Sequence, residues 1–219
     1  QVRPLLPGGP GCAVLVTSRA RLSALAGAHL LNLDVFPVES ALALLERSVG
    51  APRFRAERAA ARELIGLCGH LPLAVRILAA RVAASPHTPL SWFVDQLTDE
   101  RRRLDELRVG DLDVRASIGS GLRAMAEPEH RVLRRLALFD APDVPAWVAA
   151  AAADLAPAEA EAAMRALVAR RLLDDAGVDR CGQLRYRFHP LVRLFARERA
   201  EREPAGERAA AVDRVLAGW

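Results

Sequence analysis

The sequence predicts a mainly α chain: a helical bundle domain followed by a winged-helix domain (helices plus a β-hairpin), opened by a short α/β piece. Three observations carry that prediction. Apolar residues recur at helical spacing through most of the chain from about residue 38 to residue 172. The period changes to two in LLDDAGVDRCGQLRYRF, residues 172–188. A short apolar run with two valines, Ala13 to Val16, stands near the start.

That opening run is bounded upstream by Gly8, Gly9, Pro10 and Gly11 and reads as a buried strand of a parallel sheet. It ends in Thr17, Ser18 and Arg19, the kind of polar exit that parallel strands deliver to ligands at their carboxyl edge. A second alternating stretch, LLNLDVF at 30–36, stops at Pro37. Leu42, Leu45 and Val49 then mark one helix, and Ala61, Leu64, Ile65 and Cys68 the next, which Gly69 stops. Pro72 opens a third, with Ala74, Ile77, Leu78 and Val82 inward; a first-turn proline lacks only an N–H that has no helical partner. SPHTP at 85–89 interrupts the pattern, and Trp92, Phe93 and Leu97 begin a fourth helix. This runs into DERRRLDELR, residues 99–108, read as a solvated helix face or link.

A domain boundary is expected between Val109 and Asp113. Beyond it the spacing predicts a helix through Leu122 and Met125, and one opened by Pro128 with Val132, Leu133 and Leu136 inward. An Ala-rich helix follows Pro145, and another from Pro157 carries Met164, Leu167, Val168 and Leu172 on one face. Two strands around a Gly177–Gly182 turn alternate Leu184, Tyr186 and Phe188, and HPLVRLFARERA closes the unit as a helix. Three of these helices, the hairpin and the terminal helix are the layout of a winged helix. There are no internal repeats.

At 219 residues and 52% apolar content the chain can build real cores, which excludes wholesale disorder. No apolar run reaches the ~20 residues that span a bilayer. The chain begins at Gln1 without a charged-then-apolar leader, so it is expected to be cytoplasmic and cut from something longer. The three cysteines, Cys12, Cys68 and Cys181, lack metal-ligand spacing and read as reduced thiols. The net charge of +4 comes from arginine alone, with no lysine, in an Ala-rich chain. That composition reflects GC-rich coding as readily as selection for an acidic partner.

Three places carry polar groups that packing does not demand. Thr17-Ser18-Arg19 is, taken alone, a strand exit with a surface arginine. Gly69-His70-Leu71-Pro72-Leu73-Ala74 is a tight turn into a helix, whose proline ring can also pack on a flat base. His189 sits where the hairpin meets the last helix, as a capping or core histidine or as a group reaching an anion.

Together, in order and spacing, they resemble the C-terminal part of the NB-ARC nucleotide-binding module of STAND-class ATPases, closest to AfsR-like (SARP-family) bacterial transcriptional regulators. The matching pieces are VLVTSR at 14–19, the stretch from Leu33 to Leu45, HLPLA at 70–74 and FHPLVRLFA at 188–196, which span nearly the whole chain. The resemblance implies that residues 1–33 are a remnant of a P-loop α/β domain. It implies a helical ARC1-like domain at 34–108, a winged-helix ARC2-like domain at 109–203 and a C-terminal helical extension at 204–219. Arg19, beside Thr17, would reach the terminal phosphate of ATP. Pro72 would lie against the adenine, with His70 where the family has Gly or a small residue. His189 would contact the β-phosphate of ADP and latch the winged helix; Pro190 stands where the family commonly has Asp, and removes a charge-assisted bond from that latch.

Neither a G-x-x-x-x-G-K-S/T loop nor a paired-acid strand for Mg²⁺ occurs in the sequence. Phosphoryl transfer needs both. The resemblance implies ATP or ADP and Mg²⁺ in a parent protein; without that loop and strand, none is expected bound to this fragment and no catalysis by it. The implied partners are an upstream P-loop domain of the same chain, a downstream sensor domain and a separate DNA-binding domain, with no membrane. Two other classes compete with this regulatory switch. One is a winged-helix DNA-binding regulator, using Arg165, Arg170 and Arg171 before the hairpin and Arg180, Arg185 and Arg187 on it against phosphates. Against that reading, AEAEAAMRALVA offers few side chains that read base edges, and Glu159 and Glu161 repel a phosphate backbone. The other is a helical protein-interaction scaffold.

Overall fold

The computed structural model describes Leu6, residues 11–18 and residues 27–219. Pro37 ends an extended segment and α1 (Val38–Val49) begins, burying Ala41, Leu42 and Leu45. A short α2 (Ala51–Ala56) buries Phe54, and α3 (Arg58–Leu67) buries Ala61, Leu64 and Ile65. Next come α4 (Pro72–Ala84), α5 (Leu90–Thr98) and α6 (Glu100–Glu106). α1 packs on α4, α3 on α5 and α5 on α6. A two-stranded hairpin, β1 (Arg108–Val109) and β2 (Leu112–Asp113), turns at Gly110 with φ +55°.

The second half opens with α7 (Val114–Leu122), whose first turn is capped by the Asp113 carboxylate accepting the Ala116 N–H at 2.9 Å. Then follow α8 (Glu127–Leu136), β3 (Val144–Pro145), α9 (Ala146–Ala153) and α10 (Pro157–Ala169). β4 (Leu173–Val178) and β5 (Leu184–Phe188) form the longer hairpin, and α11 (Pro190–Ala200) and α12 (Ala205–Gly218) complete the order. The three-stranded antiparallel sheet runs β3-β5-β4, pairing Val144 with Tyr186 and Leu173 with Phe188. α8, α9 and α10 contact one another pairwise, and α12 lies on α9. There Trp219 meets Trp147 with ring centroids 6.0 Å apart. One hydrophobic cluster of buried side chains runs from Ala41 to Val215, so both halves contribute to a continuous core.

The chain is thus mainly helical with small antiparallel sheets, and no helix among the described residues is long and apolar enough to cross a membrane. Two expectations are corrected. Neither Ala13–Val16 nor the LLNLDVF stretch forms a strand, and both are largely exposed, with Leu15 at 93% and Leu33 at 83%. No strand among the described residues pairs with either, and without a neighbour to satisfy its backbone an alternating pattern does not make a sheet. The charged stretch at 99–108 is more than a solvated link: α6 buries Leu104 and the arginine Arg103.

Candidate functional site

The α3–α4 turn and the start of α11 meet in one junction. α3 ends in a Schellman turn, with the Gly69 N–H donating to Gly66 O at 2.8 Å and the His70 N–H to Ile65 O at 3.2 Å. Gly69 and His70 both take left-handed backbone, φ +57° and +58°, a conformation glycine adopts freely and histidine only with strain. Pro72, half-buried, then opens α4. The Phe36 N–H donates to His70 O at 3.0 Å, fastening the extended segment to this turn.

His189 arrives from β5 as the N-cap of α11. Its Nδ1 accepts the Leu191 N–H at 3.2 Å, which leaves the proton on Nε2, 2.9 Å from Gly69 O. The ring lies so close that a Cβ on Gly69 would stand 2.6 Å from its Cε1. Gly69 is therefore required here on two grounds, backbone and space. Burial holds the His189 imidazolium below its ordinary range; the bond to Gly69 and the nearby carboxylates of Asp174 and Asp34 work the other way, while His70 adds to the lowering. Beside it, His70 Nδ1 is buried with no hydrogen-bond partner among the described residues.

Around this junction α11 is tied to α6 and α7 by charge. Arg197 reaches Glu100 at 3.4 Å and Arg193 reaches it at 3.7 Å, while Arg193 also pairs with Asp140. Arg115 bridges Glu198 at 2.9 Å and Asp105 at 2.7 Å.

Of the residues singled out from sequence, His189 is brought to the turn that leads into Pro72. Thr17 lies exposed in the segment 12–18, and Arg19 falls outside the described residues. The six arginines do not form one free basic face. Arg165 pairs with Glu161 at 3.4 Å and Arg170 with Glu129 at 3.3 Å, and Arg185 is held by Asp143 at 2.7 Å and Asp179 at 3.5 Å. Arg171, in left-handed backbone, donates to Asn32 Oδ1 at 3.1 Å; Arg180 and Arg187 are exposed on the hairpin. The partner of His189 was missed in the sequence, although Gly69 was legible as a helix stop. Nothing local to Gly69 signals a ring arriving from residue 189.

Fold and junction define a mainly helical protein whose two groups of helices share a core and ion pairs, with one histidine bonded across their junction. Two curated regulatory proteins are similar to it along its length. Regulatory protein AfsR of Streptomyces griseus is 49% identical over 218 residues, and regulatory protein AfsR of Streptomyces coelicolor is 48% identical over 221. Each alignment covers 99% of this chain, and the chain spans about a fifth (22%) of each relative's length. The chain is homologous to that portion of these regulatory proteins. No protein-family model matches it.

Proposed function

We propose that the chain is a regulatory segment of a bacterial transcriptional regulator, with residues 34–108 as a helical lid and 109–203 as a winged helix of a nucleotide switch. The observation that carries this reading is the His189–Gly69 hydrogen bond. It ties His189 of the FHPLV motif to Gly69, the residue just before HLPLA and 120 residues away in sequence, at the junction of the two halves. A group placed there biases whether the halves stay docked. Homology to proteins named as regulatory supports the regulatory part of the reading.

The residues present fit a nucleotide in part. His189 Nε2–H is a donor, as a phosphate oxygen requires, and the buried His70 Nδ1 has no hydrogen-bond partner among the described residues. Pro72 would lie against the base and Arg19 would approach the terminal phosphate. Bound nucleotide supplies a phosphate charge that differs between diphosphate and triphosphate. His189 Nε2–H, which donates to Gly69 O, is the group that would hold a phosphate oxygen, so ligand binding and docking would share one hydrogen-bond donor. The chain has neither the glycine-lysine loop nor any lysine, so it would not hydrolyse ATP by itself.

The test is His189→Ala in the full-length parent, reading ADP retention beside reporter output. Faster ADP release with raised basal output is expected; unchanged release and unchanged output would reduce His189 to a structural cap and end the nucleotide reading. One observation favours a DNA-binding role instead, the exposure of Arg180 and Arg187 on the hairpin. Duplex binding that survives physiological salt would make that the better account.

A further inference from the structure

We propose that the His189–Gly69–Leu191 arrangement is a proton-sensitive clasp that fastens the first turn of α11 to the α3–α4 turn and loosens it when the ring gains a proton. The inference needs no nucleotide and so stands apart from the switch reading. It rests on occupancy of both ring nitrogens. Nδ1 must accept the Leu191 N–H, and Nε2–H must donate to Gly69 O. The neutral Nε2–H tautomer alone does both. A second proton enters at Nδ1 and sets two N–H groups against each other at 3.2 Å. The N-cap bond of α11 is then lost, and the ring carries a charge in a site where burial disfavours it.

The groups facing the ring come from three further places. Asp174 on β4 and Asp34 in the extended segment favour the charged form, whereas His70 in the turn opposes it. The carboxylates temper burial without overturning it. Gly69 makes the clasp selective by geometry, since any side chain there expels the ring.

The sign follows from linkage. A docked histidine held below its ordinary value of about 6.5 binds the proton less readily than an undocked one. Docking is therefore complete above that value and weakens as pH falls from it to the lowered one, by about tenfold per pH unit inside the window.

The experiment is hydrogen exchange on the whole chain between pH 7.5 and 5, corrected for intrinsic rates, with the His189 ring followed by NMR. Protection of the Leu191 amide should fall with the titration of His189, from an Nε2–H tautomer at the upper pH. In His189→Asn the side chain still caps α11 but cannot titrate, and the acid-dependent loss should vanish. In Gly69→Ala the ring is expelled, so its titration should return toward the ordinary value and Leu191 protection should be low even at pH 7.5. The same acid-dependent loss in His189→Asn as in wild type would overturn the clasp. So would a Leu191 amide whose protection is unmoved while His189 titrates.

Discussion

The Glu57 carboxylate, just past the end of α2, accepts the backbone N–H of Leu90 at 2.7 Å and so caps a helix 33 residues away. α5 has no side-chain cap of its own, because its N-cap position is Pro89. Arg53, four residues before Glu57, donates to Val82 O at 3.1 Å and to Thr88 O, so the same short helix fixes both ends of the α4–α5 connection. Replacing Glu57 with Ala should cost about 1–2 kcal/mol. Urea unfolding with an unchanged m-value would show that loss, and a midpoint equal to wild type would show that water caps α5 as well.

Arg103 should be costlier to lose. It is only 9% exposed and donates from Nε to Leu97 O and from Nη2 to Thr98 O at 3.1 Å, closing the carboxyl end of α5. Burial lowers the guanidinium's affinity for its proton, and Glu100 is the largest opposing influence. Arg103→Met keeps much of the volume but strands those carbonyls, for an expected loss of about 2–4 kcal/mol. Thermal unfolding of this variant beside Arg102→Met, an exposed neighbour, separates the buried role from general loss of charge.

Thiol reactivity divides the three cysteines. Cys68 is fully buried and its thiol is pushed up to about 12, by burial first, with Arg103 acting against it. Cys12 and Cys181 are exposed. A colorimetric thiol reagent at pH 8 should therefore modify two thiols quickly and the third only in denaturant, since the thiolate is the nucleophile. Rapid modification of three native thiols would mean that the α3 end opens readily.

α12 is held by two arginines. Arg135, almost wholly buried, pairs with Glu203 at 3.0 Å and Glu207 at 2.7 Å. Arg214 donates to Ala151 O at 2.8 Å and Ala152 O at 3.0 Å, in the last turn of α9, where carbonyls run short of helical N–H donors and Ala151 O has only a long bond from the Asp154 N–H at 3.4 Å. Arg214→Met should loosen α12 by about 1–3 kcal/mol while leaving α9 in place. Hydrogen exchange should show the loss concentrated in 205–218, and uniform destabilisation would count against a local anchor.

Helices were legible wherever a 3.6-residue apolar period met a proline or glycine signal, as at Pro72, Pro128, Pro157 and Gly69. α2 escaped because six residues with Pro52, Arg53 and Arg55 bury only Phe54 and show no period. The burial of α6 escaped, because one of its two inward positions is an arginine, which a binary pattern scores as surface. The residues at 13–16 and 30–36 carry strand-like composition, but composition cannot supply a neighbouring strand. For the candidate site, both motifs could be found and their meeting could not. Gly69 and His189 are joined by a carbonyl and a ring nitrogen, and no local spacing encodes such a pairing. The same holds for the long-range arginine caps.

The tryptophan pair formed by Trp147 on α9 and Trp219, just past the end of α12, makes the chain its own optical reporter. Three tryptophans are present: Trp92 on α5, edge-on to Phe93 at 5.0 Å, and Trp147 and Trp219, 6.0 Å apart. With Trp92 replaced by Phe, emission comes only from the two indoles at the α9–α12 contact, and with Trp219 replaced it comes from one ring on each half. Stopped-flow fluorescence can then time the departure of α12 separately from the opening of the first half, with no dye attached and no cysteine altered.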